Sequence, residues 1–186
     1  MAILETHHLS RRYGSLVALD DLNLKVEAGE CFGFIGPNGA GKTTTIKILA
    51  TLLKPSSGEA RVCGFTVGWQ NTHIRPLIGY VPDFLGAYDD MLVREYLQFF
   101  ASCYGITGSR RTQVVDDALS LTDLGGKAEA SISGLSRGMS QRLAVARVLL
   151  HDPEVLLLDE PASGLDPRAR VEMRELLRTL RDLGKT

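Results

Sequence analysis

The sequence predicts an α/β fold: a mainly parallel core sheet with helices on its faces, an antiparallel β subdomain at the N-terminus and an inserted α-helical subdomain. Three observations carry this. Residues 31–35 and 155–158 are short apolar runs, each followed by a helical pattern, as strands buried in a parallel sheet read. The first thirty residues alternate apolar and polar, the mark of half-buried antiparallel strands. From Met91 to about Ala130 the pattern turns helical, punctuated by Gly105, Gly108 and the pair Gly125 and Gly126.

Each element follows in order. Ile3, then Leu22, Leu24 and Val26, set the antiparallel strands, which end at the turn Glu27-Ala28-Gly29-Glu30. Residues 31–35 read as a buried strand, broken by Gly-Pro-Asn-Gly-Ala-Gly. A helix from Thr43 carries Ile46, Leu49, Ala50 and Leu53 on one face and stops at Pro55-Ser56-Ser57-Gly58. Residues 61–65 and 77–81 read as further strands, and Met139 opens an amphipathic helix that ends near Pro153. Val155 to Leu158 is a buried strand, and Asp166-Pro167 reads as an N-cap followed by proline at the first helical position. That last helix is expected to run to Leu183, with Gly184 just past its end.

At 186 residues the chain is one domain, divided as residues 1–82 and 151–186 for the core and 83–150 for the mainly helical part. Lys plus Arg is 21 against 22 for Asp plus Glu, so the basic footprint of a nucleic-acid binder is lacking. Cys31, Cys63 and Cys103 are odd in number and match no metal knuckle, which reads as a reduced cytosolic protein. The N-terminus has no signal-peptide pattern and no apolar run reaches bilayer length, so a membrane role is expected through a partner.

Gly36-Pro37-Asn38-Gly39-Ala40-Gly41-Lys42-Thr43 fits G-x-x-x-x-G-K-[ST] at every fixed position, a match expected by chance on the order of once in a hundred such chains. Glycines let the backbone curl round phosphates, and its N–H groups, with the helix N-terminus behind them, bind the anion. Lys42 supplies a compact positive charge and the Thr43 hydroxyl a hard ligand for Mg²⁺. The context of strand, loop and helix predicts a P-loop NTPase sandwich. Asp159 and Glu160 stand at the C-terminal edge of a strand, where open α/β sheets bind ligands. Asp159 is placed to hold Mg²⁺, and Glu160 to orient or deprotonate a water attacking the γ-phosphate. Without a phosphate loop, two solvated acids at a strand end would be the better reading. Between the two motifs, Ser136 and Gly138 open a helix in Leu135-Ser136-Arg137-Gly138-Met139-Ser140-Gln141-Arg142, a second anion-binding geometry that is weak alone.

The order of phosphate loop, L-S-x-G-x-x-Q-R, then L-L-L-D-E-P with S-G-L-D after it, resembles the ATPase subunit of an ABC transporter. Arg11-Arg12-Tyr13-Gly14 with Val17-Ala18-Leu19, the residues Gly36 to Thr45, and Gly79-Tyr80-Val81-Pro82 resemble bacterial exporter-type members, including those linked to drug resistance. The resemblance implies that Tyr13 stacks on adenine, where it is otherwise a turn aromatic covering a strand. It implies that Gly36 to Thr44, Thr44 included, hold the triphosphate. Ser136 and Gly138 would bind the γ-phosphate of an ATP held by a second subunit, with Gly164, Leu165 and Asp166 at that interface. The implied cofactors are ATP and Mg²⁺. The implied partners are a second ATPase subunit, head to tail, and an integral-membrane permease that places the chain at the cytoplasmic face of the membrane.

The chain departs from that pattern in three places. Asp83 stands where the family has a glutamine touching Mg²⁺ and the attacking water, which makes it a candidate variant metal ligand beside Thr43 and Asp159. Arg137 stands where glycine is common. The family's histidine on a later strand has no counterpart, because His7, His8, His73 and His151 all precede Glu160. A chain truncated before that strand is therefore expected, with an unpaired sheet edge. Two kinds of function remain: an ATPase energising export, or an ATP-binding fragment or degenerate subunit with little hydrolysis. A non-transport ATPase of the same family is a third, though such proteins usually carry two cassettes in one chain.

Overall fold

A computed structural model describes residues 2–83, 86 and 90–186, so residues 84, 85 and 87–89 of the expected helical part lie outside it. The chain divides into two compact units: Met1–Tyr80, Pro153–Asp159 and Leu180–Thr186 form the first, Val81–Asp152 and Glu160–Thr179 the second.

The first unit is built on two long strands, β1 (Ala2–Tyr13) and β2 (Leu16–Glu27), paired antiparallel. β1 also pairs antiparallel with β3 (Ser57–Val62), which pairs with the short β4 (Phe65–Thr66), giving the sheet order β2-β1-β3-β4. The expectation of one strand over residues 61–65 is corrected here. Cys63 and Gly64 take φ of 51° and 80°, two successive left-handed residues, and so turn a two-residue hairpin between β3 and β4. Helix α1 (Lys42–Leu49) buries Thr45, Ile46, Ile48 and Leu49, and Ile46, Ile48 and Leu49 share one core with Leu9 of β1 and Val62 of β3. Short helix α2 (Asn71–Ile74) adds Ile74 to that core.

Two strands of the core sheet pair among the described residues, β5 (Ile78–Val81) and β6 (Val155–Leu158). β6 falls on the expected run, and Val155 and Leu157 are buried in the same core. Thr186 lies along β6: its N–H donates to the Glu154 carbonyl at 3.1 Å and its carbonyl accepts from the Leu156 N–H at 2.8 Å.

Residues 31–35 are not a strand, contrary to expectation. Phe32 is half exposed and Ile35 wholly so, while Phe32 and Phe34 pack edge to face on each other at 5.3 Å. A strand is a ladder, and among the described residues no strand pairs with this run. Its composition states a preference for burial that the observed conformation does not meet.

The second unit is helical: α3 (Val93–Cys103), α4 (Gly108–Leu121), α5 (Arg137–Leu149) and most of α6 (Pro167–Asp182). Val93, Tyr96, Leu97, Val115, Leu119, Leu143, Val145 and Met173 are among its fully buried residues. Arg94 joins α3 to Asp116 on α4 at 2.6 Å and to Glu129 at 3.0 Å. The cap at Asp166 is as expected, with its Oδ1 accepting the Ala169 N–H at 2.9 Å. The helix stops one residue early, at Asp182, and Gly184 (φ 85°) donates its N–H to the Arg181 carbonyl.

Among the described residues, no helix is long and apolar enough to cross a membrane.

Candidate functional site

The phosphate loop lies in the first unit, with Gly36, Pro37, Asn38, Gly39 and Ala40 exposed. Gly41, at φ 85°, is the residue before α1, and a Cβ on it would stand 2.7 Å from the Ala18 carbonyl oxygen of β2. Only glycine meets both demands, and the loop is thereby pressed against the sheet backbone. Lys42 curls beneath its own loop, its Nζ donating to the Gly36 carbonyl at 2.8 Å and the Pro37 carbonyl at 2.9 Å. These charge-assisted bonds hold the ammonium at the loop, where a phosphate can replace the carbonyls. The first helical N–H groups stand free of intrahelical partners until Thr45, whose N–H returns to the Gly41 carbonyl.

The Thr43 hydroxyl donates to Asp159 Oδ1 at 2.9 Å, across 116 positions of sequence. Asp159 is 4% exposed. A nearly buried carboxylate with a hydroxyl on one oxygen is costly without further compensation. Burial, and then the Asp159 carboxylate, push the Tyr80 phenol above its ordinary value. Two hard oxygens side by side, Thr43 Oγ1 and Asp159 Oδ1, fit Mg²⁺, which is bound through one or two carboxylates and completes its shell with waters and phosphates. No cluster of three His, Cys, Asp or Glu able to hold a metal occurs among the described residues.

Tyr13 ends β1 about half exposed, with the Arg11 guanidinium 4.6 Å above its ring.

Glu160 does not continue the pleat of β6, which ends at Leu158. It is exposed and takes φ 51°, and its carbonyl accepts the Ser163 N–H at 2.9 Å. A left-handed glutamate costs about 1–2 kcal/mol, and such residues gather at functional sites.

In the second unit, Ser136 caps α5 with its Oγ accepting the Met139 N–H at 3.3 Å. Gly138 has a role the sequence did not reveal. A Cβ on it would stand 2.7 Å from the Ala169 Cβ of α6, so glycine here lets two helices touch. Gly138→Ala is expected to lower stability by about 1–3 kcal/mol, the cost of overpacking, as read from thermal unfolding. Asp83 follows β5 and is exposed, as is Arg137; Arg137 Nη2 lies 3.9 Å from Asp83 Oδ1. The structure thus groups Tyr13, Lys42, Thr43 and Asp159 in one unit, and Asp83, Ser136, Gly138 and Glu160 in the other.

The model of the ABC transporter family matches residues 19–163. The chain belongs to that ABC transporter family. Among curated ABC relatives, Nod factor export ATP-binding protein I of Burkholderia pseudomallei is 43% identical over all 186 residues, and that of Cupriavidus metallidurans is 40% identical over 185. The chain spans about three fifths of the length of each, 61%. Among solved ABC structures, an ATP binding subunit of an ABC transporter aligns with a TM-score of 0.83 at 28% identity, covering 98% of this chain and 76% of that one. The cbiO1 subunit from Clostridium perfringens, part of the ABC transporter complex cbiONQ, aligns with a TM-score of 0.87 at 29% identity, covering 98% and 75%. The ABC fold therefore holds across the chain, and the expected α/β class with its antiparallel N-terminal sheet is correct.

Proposed function

We propose that this chain binds MgATP and hydrolyses it to energise export through a separate membrane permease. The observation that carries the reading is the Thr43–Asp159 hydrogen bond: it joins the phosphate loop to the strand-end carboxylate that the family pattern pairs with it. In this reading Lys42 and the loop residues Gly36 to Thr44 bind the triphosphate, and Tyr13 stacks on adenine. Thr43, Asp159 and Asp83 hold Mg²⁺, whose contribution is to neutralise phosphate charge. Glu160 takes a proton from the attacking water. Ser136 and Gly138 serve the ATP of a second copy arranged head to tail. Export is favoured by the names of the Burkholderia and Cupriavidus relatives. The place of work is the cytoplasmic face of the membrane, reached by docking on the permease, and no nucleic acid takes part.

Equilibrium binding of a fluorescent ATP analogue tests the core of this. Lys42→Ala removes charge-assisted bonds of about 1.5–3 kcal/mol each, so affinity is expected to fall by about 10- to 100-fold. An affinity unchanged by Lys42→Ala would place the nucleotide elsewhere and overturn the reading. Tyr13→Ala is expected to weaken binding by about 1–3 kcal/mol if stacking on adenine holds.

A further inference from the structure

The two positions at which the phosphate-site motifs depart from the pattern they resemble, Asp83 and Arg137, meet in the structure. Their closest approach is 3.9 Å, between Arg137 Nη2 and Asp83 Oδ1. The same guanidinium lies over Gly164. Arg137 Cζ and Nη1 both stand 2.6 Å from where a Cβ on Gly164 would be, and Nε stands 3.1 Å away. All three residues belong to the second unit. One side chain at the start of α5 therefore touches the acid after β5 and the turn that follows Glu160.

A pair of side chains 60% and 55% exposed adds little to stability, so its geometry matters more than its strength. An aspartate adds a negative charge that a glutamine would not bring, at a position read as a ligand of a phosphate-bound cation. Uncompensated, that charge opposes the triphosphate. A guanidinium within 4 Å both offsets it and restrains the carboxylate. Arg137 needs Gly164 to lie where it does, because any side chain there would occupy its place.

We propose that Arg137 is a positioning residue for Asp83: seated on Gly164, it compensates and aims the Asp83 carboxylate for MgATP, so the two departures work as a pair. This rests on the nucleotide reading above.

The test is a double-mutant cycle on MgATP affinity with Asp83→Gln, Arg137→Gln and the double variant, each repeated with ATP in EDTA. In the Asp83 background, Arg137→Gln is expected to weaken MgATP binding about two- to fivefold, the range open to one exposed ion pair. In the Asp83→Gln background it is expected to change nothing, because no carboxylate remains to be held. Binding of ATP in EDTA is expected to be the same with and without Arg137→Gln. Thermal melting checks the fold, and substitutions at these exposed positions are expected to leave it in place. The proposal is overturned if Arg137→Gln has no effect on MgATP, if its effect is equal in both backgrounds, or if it weakens ATP equally without metal, which would make Arg137 a phosphate contact. Failure of the wild-type chain to bind nucleotide at all would instead bring down the underlying reading, and this proposal with it.

Discussion

Glu160→Gln is expected to abolish most steady-state ATP turnover while leaving nucleotide binding and melting temperature near those of the wild-type chain. Loss of a general base costs about 10²- to 10⁴-fold in rate. Glutamine keeps the size of the side chain and its backbone propensity, so the φ of 51° is strained as before. Glu160 is exposed, and its carboxylate makes no hydrogen bond or ion pair among the described residues, so its charge supports no folded contact. Stability and rate should therefore separate cleanly. A companion change, Glu160→Gly, relieves the left-handed strain and should melt no lower than wild type while being equally inactive, the usual opposition of stability and activity at a strained site. The measurement is phosphate release at saturating MgATP, alongside fluorescent-nucleotide binding. Turnover of Glu160→Gln within about tenfold of wild type falls below the general-base range and removes Glu160 from that role. Wild-type binding with negligible turnover would favour the reading of a nucleotide-binding fragment.

The parts legible in the sequence were those whose physics is local or spelled by residue type. Gly36 to Thr43 announces a tight loop ahead of a helix because only glycine at Gly41 survives both a left-handed φ and the nearby Ala18 carbonyl. Asp166-Pro167 announces a helix start because cap and fixed φ are properties of adjacent residues. What was not legible depends on a distant partner. Residues 31–35 have the apolar content of a buried strand, but no ladder neighbour is encoded in that run. The packing of Gly138 on Ala169, and of Arg137 on Gly164 and Asp83, joins segments that no periodicity links. The hairpin at Cys63 and Gly64 sits between the two: the Cys-Gly pair hints at a turn, yet a left-handed cysteine is rare enough to be passed over.

Gly58→Ala is expected to be the most destabilising single methyl in the first unit. Gly58 is the second residue of β3, at φ 78°, and a Cβ there would strike the His8 carbonyl oxygen and come 2.6 Å from that of His7. These are backbone atoms of β1, and β1 is bulged at that point, with a register shift between His7 and Ser10 and a left-handed His8. The bulge is pinned from both sides. The His8 N–H donates to Asn23 Oδ1 at 2.9 Å, the Asp21 N–H to Ser10 Oγ at 2.9 Å, and the Ser56 N–H to the Ser10 carbonyl at 2.9 Å. Retreat of β1 from the new methyl would break such bonds, so strain and clash add. Left-handed alanine costs about 1–2 kcal/mol and overpacking about 1–3, which together lower the melting temperature by about 5–20 °C for a chain of this size. Gly14→Ala is the control: its φ is 58° and nothing lies within 4 Å of the added Cβ, so only the strain term applies. A Gly58→Ala chain that melts no lower than Gly14→Ala would show that the β1 bulge yields freely. If the difference appears, it has a functional consequence, because β1 and β3 share one core with Ile46, Ile48 and Leu49 of the helix whose first turn carries Lys42 and Thr43. Loosening that core should then weaken MgATP binding as temperature nears the lowered transition, although no residue of the phosphate loop has been altered.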